Sequence, residues 1–434
     1  MKEMDLENTS LKNLNLSDNF KNFLTNNLNF DQLIAVINLE KNLLVIAGAG
    51  SGKTRVIIYR AILLIELKIS SKNILILTFT RKAITEIKTR INTFLPESNI
   101  CIETFHSLAY KFLKRYAQNK NFKILTTKDS TSVFYEKSEN IYSFNDLLIQ
   151  FHKLLTSNLI TTKFQYIMVD EYQDTDDLQV DILKLLSKSS NLMVVGDDYQ
   201  SIYSFKGTSM KNILNFSNEF PDVKTIILKE NYRSSPAILN LSNEFSKSLK
   251  YCFRKSLITN NTAIEKPNLN IFRNHSDEVS FIFNKIKNIL ILNPNATIAL
   301  LFRNYIYMEE FIKYFKLFNI EFNVSSNPFL ENILKNKFSN IDTNLTFLTI
   351  HSSKGLEWDY VFIPLLLEGI IPSSVGEVIN LEEEKILFYV ALTRAKKELF
   401  LSYPLSFYSD FGLFNTPSQF IEKINSSFFN IKRG

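Results

Sequence analysis

The sequence has very little cysteine, little glycine and no long hydrophobic run. Only Cys101 and Cys252 occur in 434 residues, far apart and outside any CxxC pair. That argues against a disulfide framework or a zinc site and suits a reducing compartment. No uncharged apolar run reaches the roughly 18 residues that would span a bilayer, so no association with a membrane is expected. The polar stretch 1–20 has no apolar h-region, which points to a cytoplasmic protein. Neither sign of charge dominates: the formal net charge of +6 is compatible with a nucleic-acid partner without demanding one. With 45% hydrophobic and 22% charged residues the composition is that of an ordinary globular protein. The length suits roughly two or three domains.

Scarcity makes the glycines informative. Of the ten, Gly48, Gly50, Gly52, Gly196, Gly207 and Gly355 fall inside short polar motifs. Such positions suit tight turns or backbone brought close to a ligand.

Short apolar runs at Leu43 to Ala47, Asn73 to Leu77, Tyr166 to Val169 and Leu192 to Val195 read as buried strands. Helical periodicity follows the first two, over Lys53 to Leu67 and Arg81 to Phe94. A second series begins near Lys224. It has strands at Thr225 to Leu228, Thr297 to Leu301, Phe347 to Ile350, Tyr360 to Ile363 and Leu399 to Ser402. Its helices are Ser235 to Ser248, Glu278 to Leu292, Glu309 to Phe318 and Glu382 to Arg394. Buried strands alternating with helices predict parallel sheets covered on both faces, with ligands beyond the carboxyl ends of the strands. The polar motifs lie there.

The segment Ala47-Gly48-Ala49-Gly50-Ser51-Gly52-Lys53-Thr54 follows a strand and opens a helix, the context of a phosphate-binding loop. Bare N–H groups would wrap a triphosphate, Lys53 would reach its β- and γ-phosphates, and Thr54 would ligate Mg²⁺. Asp170 and Glu171 end another strand. Alone, such a pair also suits a helix cap. With the phosphate loop upstream, Asp170 is placed to hold Mg²⁺ and Glu171 to deprotonate the attacking water of ATP hydrolysis. After a further strand, the run from Gly196 to Gly207 offers Gln200 as a γ-phosphate sensor and aromatic side chains that could stack on bases.

Together these motifs resemble, in order, those of the UvrD/PcrA/Rep group of superfamily 1 DNA helicases. Leu28-Asn29-Phe30-Asp31-Gln32 resembles the adenine-reading glutamine motif, and Thr78 to Ala83 and Thr104 to Ser107 resemble two DNA-contacting segments. Asn231 to Ser234, Leu348 to Trp358 and Tyr389 to Ala395 resemble the fourth, fifth and sixth motifs. The match runs from about Leu28 to Tyr403.

The resemblance implies an α/β fold of two RecA-like P-loop NTPase domains. The first would comprise residues 1–111 and 160–229, interrupted by a small helical insertion over 112–159; the second would be 230–434. It implies an ATP-dependent translocase or helicase on single-stranded DNA, moving 3′ to 5′. Gln32 and Arg55 would contact adenine, Tyr232 would stack on it and Glu357 would hold the ribose. Arg233 and Arg394 would act as arginine fingers from the second domain, and Gln200 would link the γ-phosphate to the DNA. Phe79, Tyr203 and Phe205 would line the DNA path, with Thr78 in the same segment and Thr80, His106, Lys206 and His351 near the backbone.

Departures are informative too. Arg81 stands where asparagine is usual, Phe205 for tryptophan and Trp358 for phenylalanine. The accessory insertion in the first domain is reduced to little more than Ala117 to Asn140, and that in the second is nearly absent. A motor is therefore expected whose unwinding depends on a partner, such as a nuclease or another protein supplying duplex engagement. An ATP- and DNA-sensing regulatory subunit of a nuclease complex, and a motor on RNA, remain open alternatives.

Overall fold

The computed structural model describes residues 11, 14–116, 123–124, 141–202, 210–262, 265–324, 343–374 and 380–434. The chain divides into two compact units, residues 1–229 and 230–434.

The first unit is built on a six-stranded sheet. Its strands in chain order are β1 (Asn42–Ala47), β2 (Ile74–Leu77), β3 (Cys101–Glu103), β4 (Tyr166–Val169), β5 (Asn191–Gly196) and β6 (Val223–Leu228). They lie side by side as β3-β2-β4-β5-β1-β6, with every pairing parallel. Each residue of β1 and β2 is buried, which is why these runs are apolar without alternation. Because the strands are parallel, the loops after β4, β5 and β1 leave one edge of the sheet from three adjacent positions.

Helix Lys53–Glu66 continues directly from the loop after β1. Helix Arg81–Phe94 starts at the boundary its sequence predicts, because the Thr80 hydroxyl caps it by accepting from Ala83 N–H at 3.1 Å. Helices Phe105–Tyr116 and Phe144–Thr156 lie on either side of the segment Ala117 to Asn140 and touch through Phe112 and Phe151, ring centroids 5.4 Å apart. Most of the segment from Ala117 to Asn140 lies outside the described residues, as do the residues between Val324 and Thr343.

Thr225 to Leu228 opens the second series of elements above yet lies within the bounds 160–229 expected for the first domain; it forms β6 and pairs along β1, with Ile226 opposite Val45. As an edge strand it exposes Lys224 and Thr225, so its polar start resembled an interdomain boundary.

The second unit carries a seven-stranded parallel sheet. Its strands are β7 (Asn268–Phe272), β8 (Ile298–Phe302), β9 (Asn323–Val324), β10 (Leu345–Thr349), β11 (Trp358–Ile363), β12 (Ala395–Pro404) and β13 (Asn430–Arg433). They are ordered β9-β10-β8-β11-β12-β7-β13. Phenylalanines fill one side of this sheet: Phe347 stacks on Phe322 at 4.6 Å and meets Phe315 edge-on at 5.1 Å. Both units are thus α/β domains on parallel sheets. Among the described residues, no helix is long and apolar enough to cross a membrane.

Candidate active site

The loop after β1 turns on two glycines with left-handed backbone, Gly50 at φ 68° and Gly52 at φ 81°. Gly52 is also tightly enclosed: a Cβ there would lie 2.7 Å from Gln32 Nε2. The turn is braced by Ser51, whose Oγ donates to the Gly48 carbonyl at 2.8 Å. Ala47, Ala49 and Ser51 are buried, whereas Thr54 is half-buried and Arg55 is exposed. Lys53 therefore begins its helix where free N–H groups and the helix dipole favour an anion.

The acidic pair comes to the same place. Lys53 Nζ lies 2.7 Å from Glu171 Oε2, an ion pair between the loop after β1 and the loop after β4. Burial disfavours the Lys53 charge, but Glu171, Asp197 and Asp170 outweigh it and raise its pKa above the ordinary lysine value. Asp170 is buried. Burial first, and then the Glu171 carboxylate, push its pKa up to about 7, while Lys53 pulls the other way. Such a carboxyl ionises readily once a cation arrives beside it.

Glu171 has the left-handed backbone φ 52°, ψ 44°, uncommon for a residue with a side chain. The turn sends the chain back so that the Gln173 side chain reaches Glu171. Gln173 Nε2 donates to Glu171 Oε2 at 2.5 Å, and Gln173 Oε1 accepts from Asp197 N–H at 2.9 Å. Asp197 in turn accepts from Gln200 Nε2 at 2.5 Å. Gly196 leaves room for this, since a Cβ there would lie 2.7 Å from Gln173 Oε1. A continuous chain of polar contacts thus joins the carboxylate to the glutamine after β5. Neither Gln173 nor Asp197 is among the residues that the sequence singles out; Asp197 is marked only by lying in the run Gly196 to Gly207.

Gln32 is buried and bonded at both ends of its amide. Its Oε1 accepts from Asn29 N–H at 3.3 Å in a capping box, and its Nε2 donates to the Ser51 carbonyl at 2.9 Å. Arg55 donates to the Asn27 carbonyl at 2.5 Å and lies over the Tyr59 ring.

Among residues expected near DNA, Thr78 is buried, Phe79 is half-buried and Thr80 is exposed at its helix cap. Burial lowers the His106 pKa below the ordinary histidine value, partly opposed by Asp176. Tyr203, Phe205 and Lys206 lie outside the described residues.

In the second unit, Arg233 Nε donates to Glu357 at 2.6 Å and Arg233 Nη1 to the Thr393 carbonyl at 3.2 Å. Partial burial opposes the Glu357 charge, but Arg233 and Lys396 hold its pKa below the ordinary carboxylate value. Arg394 is buried and bonds the carbonyls of Val390 and Leu356 at 3.0 and 3.2 Å. Tyr232 is half exposed, its hydroxyl donating to Glu230 at 2.9 Å. The fourth, fifth and sixth motif segments are thus joined within this unit. The pKa of His351 is pushed down to about 4, by burial first and then by Arg303.

Two family descriptions match the chain. The UvrD/REP helicase N-terminal domain matches residues 28–138 and 133–221, and the UvrD-like helicase C-terminal domain matches residues 226–334 and 327–406. The ATP-dependent DNA helicases PcrA of Staphylococcus epidermidis and Staphylococcus aureus are each 35% identical over 335 residues, covering 61% of this chain and 46% of the relative. The chain therefore spans about half the length of these curated relatives. The solved C-terminal domain of a possible DNA helicase from Lactobacillus plantarum overlays with a TM-score of 0.32 at 17% identity, covering 46% of this chain and 98% of that one.

Proposed function

Since the chain belongs to the UvrD/REP helicase family, we propose that it is an ATP-driven motor on single-stranded DNA, moving 3′ to 5′. The observation that carries this reading is the meeting of Lys53, Asp170, Glu171 and the Gln173–Asp197–Gln200 chain at one edge of the first sheet. A phosphate-binding lysine, a general base and a polar connection between that base and a DNA-facing loop are what coupled hydrolysis needs.

In this reading Lys53 and the loop 47–54 hold the phosphates, and Glu171 takes the proton of the attacking water. Gln32 and Arg55 hold the adenine, Tyr232 gives it a stacking face and Glu357 holds the ribose. Arg233 and Arg394 supply positive charge to the transferred phosphoryl group. Thr54 and Asp170 suit Mg²⁺: a hydroxyl and a buried carboxyl leave the remaining positions to water and phosphate, the usual habit of this ion. When bound, the ion would offset charge on the phosphates. Thr78, Phe79, Thr80, His106, Tyr203, Phe205, Lys206 and His351 are assigned to the DNA path. Their stacking and backbone contacts track a strand without reading its sequence.

Hydrolysis by the full chain, measured with and without oligo-dT and with an RNA of equal length, tests the motor reading. DNA-dependent stimulation together with displacement of streptavidin from a biotinylated strand supports it. Stimulation without displacement would instead indicate an ATP- and DNA-sensing subunit that does not move. Duplex engagement is assigned to a partner protein, on the reduced insertions. Efficient unwinding of a long tailed duplex by the chain alone would refute that assignment.

A further inference from the structure

Arg60 is a fully buried arginine, two turns into the helix that Lys53 begins, and its guanidinium bonds to backbone carbonyls. Its guanidinium points at the end of a different helix. Nη1 donates to the carbonyls of Ala35 at 3.1 Å and Val36 at 3.3 Å, and also to that of Asn38. These lie at the C-terminus of helix Phe30–Ile37, where carbonyls have no partner within the helix and the dipole favours a cation. Burial lowers the Arg60 pKa to about 10, so the group is charged at neutral pH.

The same short helix is tied to the phosphate loop at its other end. Gln32 sits in its first turn and donates from Nε2 to the Ser51 carbonyl at 2.9 Å. The helix Phe30–Ile37 is therefore held at both ends by the loop-and-helix segment 51–60. A helix of this length gains little stability of its own, so its angle is set by such tertiary ties. The tie at Gln32 also fixes which way its amide faces. With Oε1 on Asn29 N–H and Nε2 on the Ser51 carbonyl, one lone pair and one N–H remain. That pair matches the donor and acceptor on the N6/N7 edge of adenine and mismatches the two acceptors of guanine at O6/N7.

We propose that Arg60 is a positioning residue for nucleotide-base selectivity. It grips the far end of helix Phe30–Ile37 and so holds the Gln32 amide in register with the phosphate loop, without itself touching nucleotide. This rests on the assignment of Gln32 to the adenine. A purely architectural arginine would matter for stability alone. Arg60 as a positioning residue matters more for ATP than for GTP, because only the base-reading amide is displaced.

The test compares ATP and GTP hydrolysis by the full chain, at saturating oligo-dT, in Gln32→Ala, Arg60→Lys and Arg60→Met. Arg60→Lys keeps a cation for the carbonyls and guards against simple unfolding, which thermal melting monitors. The expected result is an ATP/GTP ratio of kcat/KM reduced about fivefold or more in Arg60→Met and less in Arg60→Lys, through a raised KM for ATP. Equal losses for both nucleotides, with the ratio unchanged in both Arg60 variants while Gln32→Ala lowers it, would overturn the positioning role alone. A ratio unmoved by Gln32→Ala would overturn the adenine assignment and the Arg60 role with it.

Discussion

Lys53 Nζ and Glu171 Oε2 lie 2.7 Å apart, so the cation of the phosphate loop and the carboxylate assigned as general base neutralise each other. A triphosphate competes for the same ammonium and leaves Glu171 to its water and to Gln173. The two residues therefore have opposite effects on binding. Lys53→Ala removes the phosphate cation and should weaken ATP binding and abolish turnover. Glu171→Gln removes the competitor for Lys53, so ATP should bind at least as tightly while turnover falls about 100-fold or more. Separate measurement of ATP affinity and kcat checks both. DNA-stimulated turnover kept near the parent level in Glu171→Gln would remove Glu171 from the chemistry.

Gln173 yields a sharper comparison. Its amide donates to Glu171 and accepts from Asp197 N–H. Gln173→Ala loses both contacts but adds no charge. Gln173→Glu keeps the acceptor for Asp197 and sets a second carboxylate against Glu171, raising the pKa of the pair and spoiling the base. The larger loss of kcat is therefore expected in Gln173→Glu, despite its closer shape. A loss greater in Gln173→Ala would mean that the link to Asp197, rather than charge at Glu171, is what matters.

The contrast between Lys53 and Gln173 shows what the sequence could reveal. The loop that carries Lys53 follows an apolar run, as do Asp170 and Glu171, and runs such as Leu43 to Ala47 are legible because parallel strands are buried on both faces. Gln173 has no such frame. Its role depends on the left-handed turn at Glu171, which no local pattern encodes. Three other strands are less legible for similar reasons. Strand Cys101–Glu103 has three residues, too few for a period to show. In Asn268–Phe272 the asparagines 268 and 270 are buried, against the usual polar-out rule. Strand Val223–Leu228 pairs with a strand about 180 residues earlier, a relationship that periodicity cannot carry.

Arg303 and Glu384 form a two-pronged pair in the second unit. Arg303 Nε donates at 3.0 Å and Nη2 at 2.6 Å to Glu384 Oε1, while Glu384 Oε2 accepts from Ser373 N–H at 2.9 Å. Arg303→Met strands a buried carboxylate and should cost about 3–5 kcal/mol of stability. Adding Glu384→Leu should recover much of that loss, because the uncompensated charge has gone. Urea unfolding followed by fluorescence of Trp358, the single tryptophan, reports on this unit. Arg303→Met should also raise the depressed pKa of His351, since a nearby cation is removed; NMR titration of that ring would show it.

His275 supplies a pH dependence with a definite sign. The buried ring lies 3.0 Å from Glu278 through Nδ1 and 3.2 Å from Glu310 through Nε2. Burial alone would lower its pKa, but the two carboxylates reverse this and raise it to about 9. The folded unit therefore holds a proton that the unfolded chain releases near the ordinary histidine value of about 6.5. Its contribution is fully present below that value and is lost as pH rises through about 9, by up to roughly 1.4 kcal/mol per pH unit. Glu278 also accepts from Ser402 Oγ and from Leu365 N–H, so the loss would spread to the β12 strand and the loop after β11. Unfolding free energies read from Trp358 fluorescence between pH 6.5 and 9 should fall in the parent protein. In His275→Gln, whose amide can still donate to Glu278 but does not titrate, the fall should largely vanish. An equal decline in both proteins would place the pH dependence elsewhere.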